Sequence, residues 1–142
     1  MHKILVPVDG SDNALRAVHY AVQAAKEHKS ASVHLVMVQP EPVVYGEIAL
    51  YVDRSKVEQM QRDHAQTLLK PAVDIATAAG VRFTQEILIG DVASSVVRRA
   101  DELECNLIVM GTRGLGVLGS LVLGSVATKV VHLTKLPVTL VK

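Results

Sequence analysis

The sequence has little of what nucleic-acid-binding, membrane-associated and disulfide-stabilised proteins depend on. Its 142 residues carry a formal net charge of +1 and contain three Tyr, one Phe and no Trp. A balanced charge gives no electrostatic reason to bind nucleic acid or a membrane surface, and so few aromatic rings leave little platform for stacking bases. The one cysteine, Cys105, excludes an internal disulfide and a cysteine-based metal cluster. We expect Cys105 to be a buried, inert thiol.

Targeting and membrane-spanning segments are not predicted either. Residues 1–7 pass directly into an apolar run, without the long apolar region and small-residue cleavage site of a signal peptide. No apolar stretch is long enough to cross a bilayer. The length fits one domain, 1–142, and 49% hydrophobic residues suffice for a real core. We therefore expect a single cytoplasmic domain with no membrane partner.

Short apolar runs alternate with helical patterns along the chain. This alternation predicts an α/β fold, with a parallel sheet and helices on both of its faces. The segment 43–52 is ambiguous between a mobile flap and the start of a helix. The predicted strands are 4–8, 33–38, 81–89, 107–110 and 136–141, and the predicted helices are 12–28, 55–79, 92–103 and 125–133.

Local signals also predict how the helices begin and end. Ser55 and Glu58 match a capping box, which places the N-cap at Ser55. Asp91 and Ser125 are candidate N-caps for the last two helices. Pro71 predicts a kink or a local break inside the long second helix.

The most informative stretch is 110–125, which holds five of the nine glycines. It follows a predicted strand and precedes a predicted helix. Glycines let backbone N–H groups approach an anion closely, and a helix N-terminus adds unpaired N–H groups and a partial positive charge. The stretch therefore predicts a phosphate-binding loop.

A second loop, 7–11, follows the first strand, and ligands of open parallel sheets bind beyond the carboxyl ends of the strands. If strands one and four are neighbours, the two loops form one crevice that contains Asp9 and Arg113. A carboxylate suits ribose or base donors. Arginine, N–H groups and the hydroxyls of Thr112, Ser120 and Ser125 suit phosphate oxygens or a phosphate-bound Mg²⁺.

Motifs for catalysis are missing. The P-loop pattern G-x-x-x-x-G-K-[ST] is absent, and the match of 114–119 to G-x-G-x-x-G follows the wrong strand for a dinucleotide site. The six histidines show no metal-ligand spacing. A triad of Ser11, His34 and Asp9 could be drawn on paper, but no G-x-S-x-G elbow supports it. The sequence therefore predicts no catalytic residue and no protein-held metal.

Taken together, these residues resemble the universal stress proteins. Gly111, Gly114, Gly124 and Ser125 fit that family's G-2x-G-9x-G-[ST] pattern, and 4–11 resembles its opening strand with an acidic residue. The resemblance implies a single-domain, Rossmann-like open sheet of five parallel strands in the order 3-2-1-4-5. It also implies ATP binding and homodimers formed through the last strand.

The resemblance implies, too, how ATP would lie in the crevice, with Mg²⁺ bound through its phosphates. Asp9 and the backbone of Val38 would hold the adenine, and the ribose would follow Pro7, Val8 and Gly111. The complete candidate set is Pro7, Val8, Asp9, Val38, Met110 and Gly111, with Arg113, Gly114, Gly124, Ser125 and Val126 toward the phosphates.

Three functions remain open at this point. The leading hypothesis is a small cytoplasmic ATP-binding protein that serves stress response or regulation, without fast ATPase activity because no general base is evident. The alternatives are a slow ATP hydrolase or adenylyl-transfer enzyme, and an interaction module that binds no nucleotide. In each case the short apolar strand containing Val138 and Leu140 predicts an unpaired sheet edge, which a symmetry-related copy could cover.

Overall fold

The computed structural model describes residues 2–42, 46, 50–114 and 122–142. Strands and helices alternate along these residues, as the sequence predicts. The strands are β1 (Lys3–Pro7), β2 (Ser32–Gln39), β3 (Phe83–Ile89), β4 (Leu107–Gly111) and β5 (Val138–Val141), and the helices are α1 (Asp12–Glu27), α2 (Arg54–Ala79), α3 (Val92–Glu102) and α4 (Ser125–Leu133).

All five strands join one parallel sheet in the order β3-β2-β1-β4-β5. This confirms the expected α/β fold and the strand order 3-2-1-4-5. β1 lies between β2 and β4, with Leu5 paired to His34 on one side and to Ile108 on the other. The loops that follow β1 and β4 therefore leave the same edge of the sheet side by side.

Helices cover both faces of the sheet, which explains why β1 and β2 read as continuous apolar runs. Successive side chains of a strand point to opposite faces. In β1, Ile4 and Val6 pack with α1 and α2, while Leu5 packs with α3 and α4. Two apolar layers thus hold the central strands in place.

One of the three predicted N-caps holds and two are wrong. Helix α3 is capped by Asp91, as predicted. Helix α2 begins at Arg54 and is capped by Asp53, because that carboxylate accepts the Ser55 N–H at 3.0 Å and leaves Ser55 inside the helix. Helix α4 is capped by Gly124 rather than Ser125, and no side chain caps it.

The break considered at Pro71 does not occur, since α2 runs through it. Pro71 itself is exposed, so its ring lies toward solvent. The helix residues on either side, Leu69, Ala72 and Ala76, are buried against the core. Packing along this face holds the helix together despite the missing backbone N–H.

The ambiguous segment 43–52 lies partly outside the described residues, which omit 43–45 and 47–49. The middle of the glycine stretch, 115–121, also lies outside them, and with it Gly116, Gly119 and Ser120. Within the described part of the chain, no helix has the length and apolarity that a membrane crossing requires.

Candidate functional site

A cavity of about 470 Å³ opens at the edge of the sheet where β1 and β4 end. This volume falls in the range of sites that bind small molecules, roughly 300 to 1,000 Å³. All eleven residues that the sequence singled out line it, and three more join them. The lining is Pro7, Val8, Asp9, Ala14, Val38, Val92, Met110, Gly111, Arg113, Gly114, Gly124, Ser125, Val126 and Ala127.

Asp9 is fixed by the turn that follows β1. Its Oδ1 accepts hydrogen bonds from the backbone N–H of Ser11 at 2.9 Å and from the Ser11 hydroxyl at 2.5 Å. The same hydroxyl oxygen accepts the N–H of Ala14 at 3.1 Å and so caps α1. One short segment therefore starts the helix and orients the carboxylate, and an Asp-x-Ser sequence supplies both functions.

The second oxygen of Asp9 lies against the glycine loop. A Cβ added to Gly114 would fall far inside contact distance of Asp9 Oδ2. Gly114 has no positive φ, so its lack of a side chain is needed for space rather than for backbone conformation. The two loops predicted to form one crevice are in direct contact here.

Gly111 meets a different partner, the buried side chain of Asn13 in the first turn of α1. A Cβ on Gly111 would overlap the Asn13 amide. Asn13 Oδ1 accepts the N–H of Arg113 at 2.8 Å, and its Nδ2 donates to the carbonyl of Val141 at 2.9 Å. The beginning of the glycine loop is thus held by a side chain from the opposite end of the chain.

The end of the glycine loop leads into α4 through an N-cap without a side chain. Gly124 N–H donates to the carbonyl of Thr112 at 2.7 Å, which brings the two ends of the loop together. The first N–H groups of a helix have no intrahelical acceptor. Those of Ser125 and Val126, which line the cavity, are therefore placed to receive an anion.

The charges in the cavity are few and opposite in sign. Among the described lining residues only Asp9 and Arg113 are charged, and the remaining side chains are mostly apolar or absent. Nearby, Asp91 caps α3 and lies 3.6 Å from Lys129 of α4. A hydrogen bond from the Ser94 hydroxyl is the main reason why the pKa of Asp91 lies below its ordinary value.

None of the described residues that line the cavity is a histidine. His34 lies in β2, where Nδ1 is 2.6 Å from the Thr84 hydroxyl and Nε2 is 2.7 Å from the Glu86 carboxylate. Both ring nitrogens are engaged, so the triad with Ser11 does not form. The described residues also contain no group of three or more His, Cys, Asp or Glu arranged to hold a metal.

Cys105 is buried, as predicted, and it does not line the cavity. Burial raises the pKa of its thiol above the ordinary value. A protonated, enclosed thiol is a weak nucleophile. Its position supports the prediction that this thiol is inert.

Sequence reasoning missed three residues that line the cavity and one, Asn13, that supports the glycine loop beside it. Ala14, Val92 and Ala127 line the cavity from the first turns of three helices, where small apolar residues carry no distinguishing signal. Asn13 could have been found, because it lies four residues before the buried Ala17 on the apolar face of α1. A polar side chain on such a face needs a hydrogen-bonding partner.

The whole chain is similar in sequence to known proteins. The universal stress protein family model matches residues 1–142. Universal stress protein MJ0531 of Methanocaldococcus jannaschii is 34% identical over 142 residues, covering 99% of this chain and 81% of that protein.

Solved structures are similar over the same length. Hypothetical protein MJ0577 has a TM-score of 0.85 at 27% identity, with 99% of this chain and 95% of the other covered. A universal stress protein from Archaeoglobus fulgidus in complex with dAMP has a TM-score of 0.73 at 25% identity, with 100% and 98% covered. A universal stress protein in complex with cAMP has a TM-score of 0.68 at 28% identity, with 99% of this chain and 96% of the other covered. Sequence and structure agree that this chain belongs to the universal stress protein family.

Proposed function

We propose that this protein binds an adenine nucleotide, ATP with Mg²⁺ held by its phosphates, in the cavity beside β1 and β4, and that it acts as a nucleotide-responsive stress or regulatory protein. The observation that carries the proposal is the meeting of all eleven candidate residues around one cavity of suitable size. The complexes of two family members with dAMP and cAMP support adenine as the base.

The hydrogen-bonding pattern of the sheet supports Val38 as a contact for the base. Val8 N–H donates to the carbonyl of Val36, and Gly90 N–H donates to the carbonyl of Gln39. Since alternate residues of a parallel strand direct their backbone groups to the same neighbour, Val38 directs its N–H and carbonyl toward β1, like Val36. β1 ends at Pro7, so these groups face the cavity and can read the edge of an adenine ring.

The side of the cavity formed by the glycine loop and the start of α4 suits phosphates. Arg113 supplies a guanidinium, and Ser125 and Val126 supply helix N-terminal N–H groups beside Gly114 and Gly124. Guanidinium and N–H donors are typical partners of phosphate oxygens. No cluster of protein ligands for a metal is present among the described residues, and Mg²⁺ would therefore be held mainly by the phosphates and water.

We propose binding rather than fast turnover. Among the described lining residues there is no His, Lys or Cys, and Asp9 Oδ1 is already occupied by two donors from Ser11. A general base that activates water for phosphoryl transfer needs a free acceptor close to the nucleophile. Asp9 Oδ2 is the one remaining carboxylate oxygen among the described lining residues, and we assign it to the adenine rather than to an attacking water.

We also propose that the protein forms homodimers through β5. This strand lies at one end of the sheet, where its outer edge has no neighbouring strand within the described chain. Leu140 is partly exposed on it and Val138 is half-buried. A second copy would supply the missing strand contacts and cover the apolar side chains.

Nucleotide-dependent stability tests the binding proposal. A ligand that binds only the folded state stabilises it by about 2.7 kcal/mol at 100 times its dissociation constant. We expect Mg-ATP to raise the melting temperature of nucleotide-free protein and Mg-GTP to raise it less. In Gly114→Val, whose side chain would collide with Asp9, we expect little effect of ATP. Equal melting temperatures with and without ATP in the unsubstituted protein would refute the proposal.

A further inference from the structure

Asn13 is a buried side chain that touches both the start of the glycine loop and the last strand. It is 4% exposed and lies in the first turn of α1. An amide in such a place must satisfy its own donors and acceptors, because an unpaired buried polar group is costly. Its two hydrogen bonds, to the N–H of Arg113 and to the carbonyl of Val141, do so across 100 and 128 residues of sequence.

These two bonds act on adjacent points of one backbone junction. The carbonyl of Val141 also accepts the N–H of Thr112 at 3.0 Å. Thr112 in turn offers its carbonyl to Gly124, the N-cap of α4. Asn13 therefore contacts the point where backbone hydrogen bonds join the end of β5, the start of the glycine loop and the N-cap of α4.

The close contact with Gly111 shows how tightly the amide is placed. A Cβ at Gly111 would overlap Oδ1 and Cγ of Asn13 and lie 3.1 Å from its backbone carbon. The amide thus occupies the space that any other residue at 111 would fill. Gly111 therefore leaves room for the side chain of Asn13, and it also lines the cavity.

We propose that Asn13 is a positioning residue of the nucleotide site. By fixing the N–H of Arg113 relative to the end of β5, it sets the direction in which the loop presents Arg113 and Gly114 to phosphate. The inference rests on the proposed nucleotide-binding function. It predicts that loss of the amide weakens binding although Asn13 does not itself line the cavity.

The substitution Asn13→Leu tests this, because leucine keeps the approximate shape of asparagine and removes both hydrogen bonds. Its matched control is Arg16→Gln, one turn later in α1. Arg16 is exposed and its Nε donates to the carbonyl of Lys142 at 2.8 Å, so the control loses a bond to the same end of the chain without touching the loop.

Two measurements are made on both variants and on the unsubstituted protein. Calorimetric titration with Mg-ATP should show binding about tenfold weaker in Asn13→Leu, the effect of losing roughly one positioning hydrogen bond. Arg16→Gln should stay within about twofold at 0.15 M salt, where distant surface charges are largely screened. Without nucleotide, the backbone amide of Arg113 should exchange its hydrogen faster in Asn13→Leu than in the unsubstituted protein. In Arg16→Gln its exchange should be unchanged.

The outcomes separate this inference from the proposed function. If the unsubstituted protein binds Mg-ATP and Asn13→Leu binds equally well, the positioning role is refuted while nucleotide binding stands. If the unsubstituted protein does not bind, the proposed function fails, and the role of Asn13 in it fails with it. Exchange at Arg113 that is unchanged in Asn13→Leu would overturn the claim that the amide orders the loop.

Discussion

Replacing Gly111 by alanine should destabilise the protein through Asn13. The added Cβ would overlap the Asn13 amide, so that side chain must leave its place and give up its bonds to Arg113 and Val141. Two lost hydrogen bonds, one of which leaves the part-buried N–H of Arg113 without an acceptor, amount to about 2 to 4 kcal/mol. The lower entropy of an unfolded chain with alanine offsets roughly 0.4 to 1 kcal/mol of this. We expect a net loss of about 2 kcal/mol.

A double-mutant cycle identifies the cause of that loss. Asn13→Ala removes the amide that the Cβ of Gly111→Ala would strike, so the second substitution should add little to the first. Only the Asn13 backbone carbon, 3.1 Å from the added Cβ, would remain close. Urea unfolding followed by circular dichroism, at one fixed protein concentration, measures all four free energies. Additive losses would show that Gly111 is required for some reason other than Asn13.

Two further predictions concern the sheet edge and the dependence of stability on pH. Leu140→Asp should shift the protein from dimer to monomer on a sizing column, because it places a charge on the proposed interface. The control Met60→Asp, at an exposed position of α2, should leave the dimer intact. A dimer that survives Leu140→Asp would place the interface elsewhere. Burial would raise the pKa of Glu86, but hydrogen bonds from Arg99 and His34 outweigh it and hold that pKa below its ordinary value of 4.5. A carboxylate with a lowered pKa stabilises the fold above its unfolded-state pKa and loses this effect in acid. The unfolding free energy of the natural protein should therefore exceed that of Glu86→Gln most near neutral pH, with the difference shrinking as the pH falls below 4.5; a constant difference would contradict the assignment.

Much of the fold follows from patterns that are local in the sequence. Apolar runs of strand length and helical stripes alternate regularly, and this alone indicates a parallel α/β sheet. The order of the strands is a property of contacts between distant segments, and the expectation of 3-2-1-4-5 came from the family resemblance. The sheet confirms that order.

The predicted helix starts show where local patterns become ambiguous. Both Asp53 and Ser55 are good N-cap residues, and the carboxylate two positions earlier takes the N–H that the serine would have capped. At α4 the cap is Gly124, one residue before Ser125. Cap position depends on the entry path of the chain, which neighbouring elements determine.

The residues that line the cavity were largely predictable as a set, yet the reasons for individual residues were not. Glycines at 111 and 114 suggest close approach to phosphate. In the structure each also makes room for a side chain from the first thirteen residues, Asn13 and Asp9 respectively. These contacts join positions about a hundred residues apart, and no local pattern reports them. The polar Asn13 on the apolar face of α1 was the available signal.

The central claim is that the cavity beside Asp9 and Gly114 binds Mg-ATP. The most direct test is a calorimetric titration of Mg-ATP into protein from which any carried-over nucleotide has been removed. Our account predicts saturable heat with one nucleotide per chain, strongly reduced in Gly114→Val. Absence of heat at millimolar ATP, with the protein shown to be folded, would contradict it.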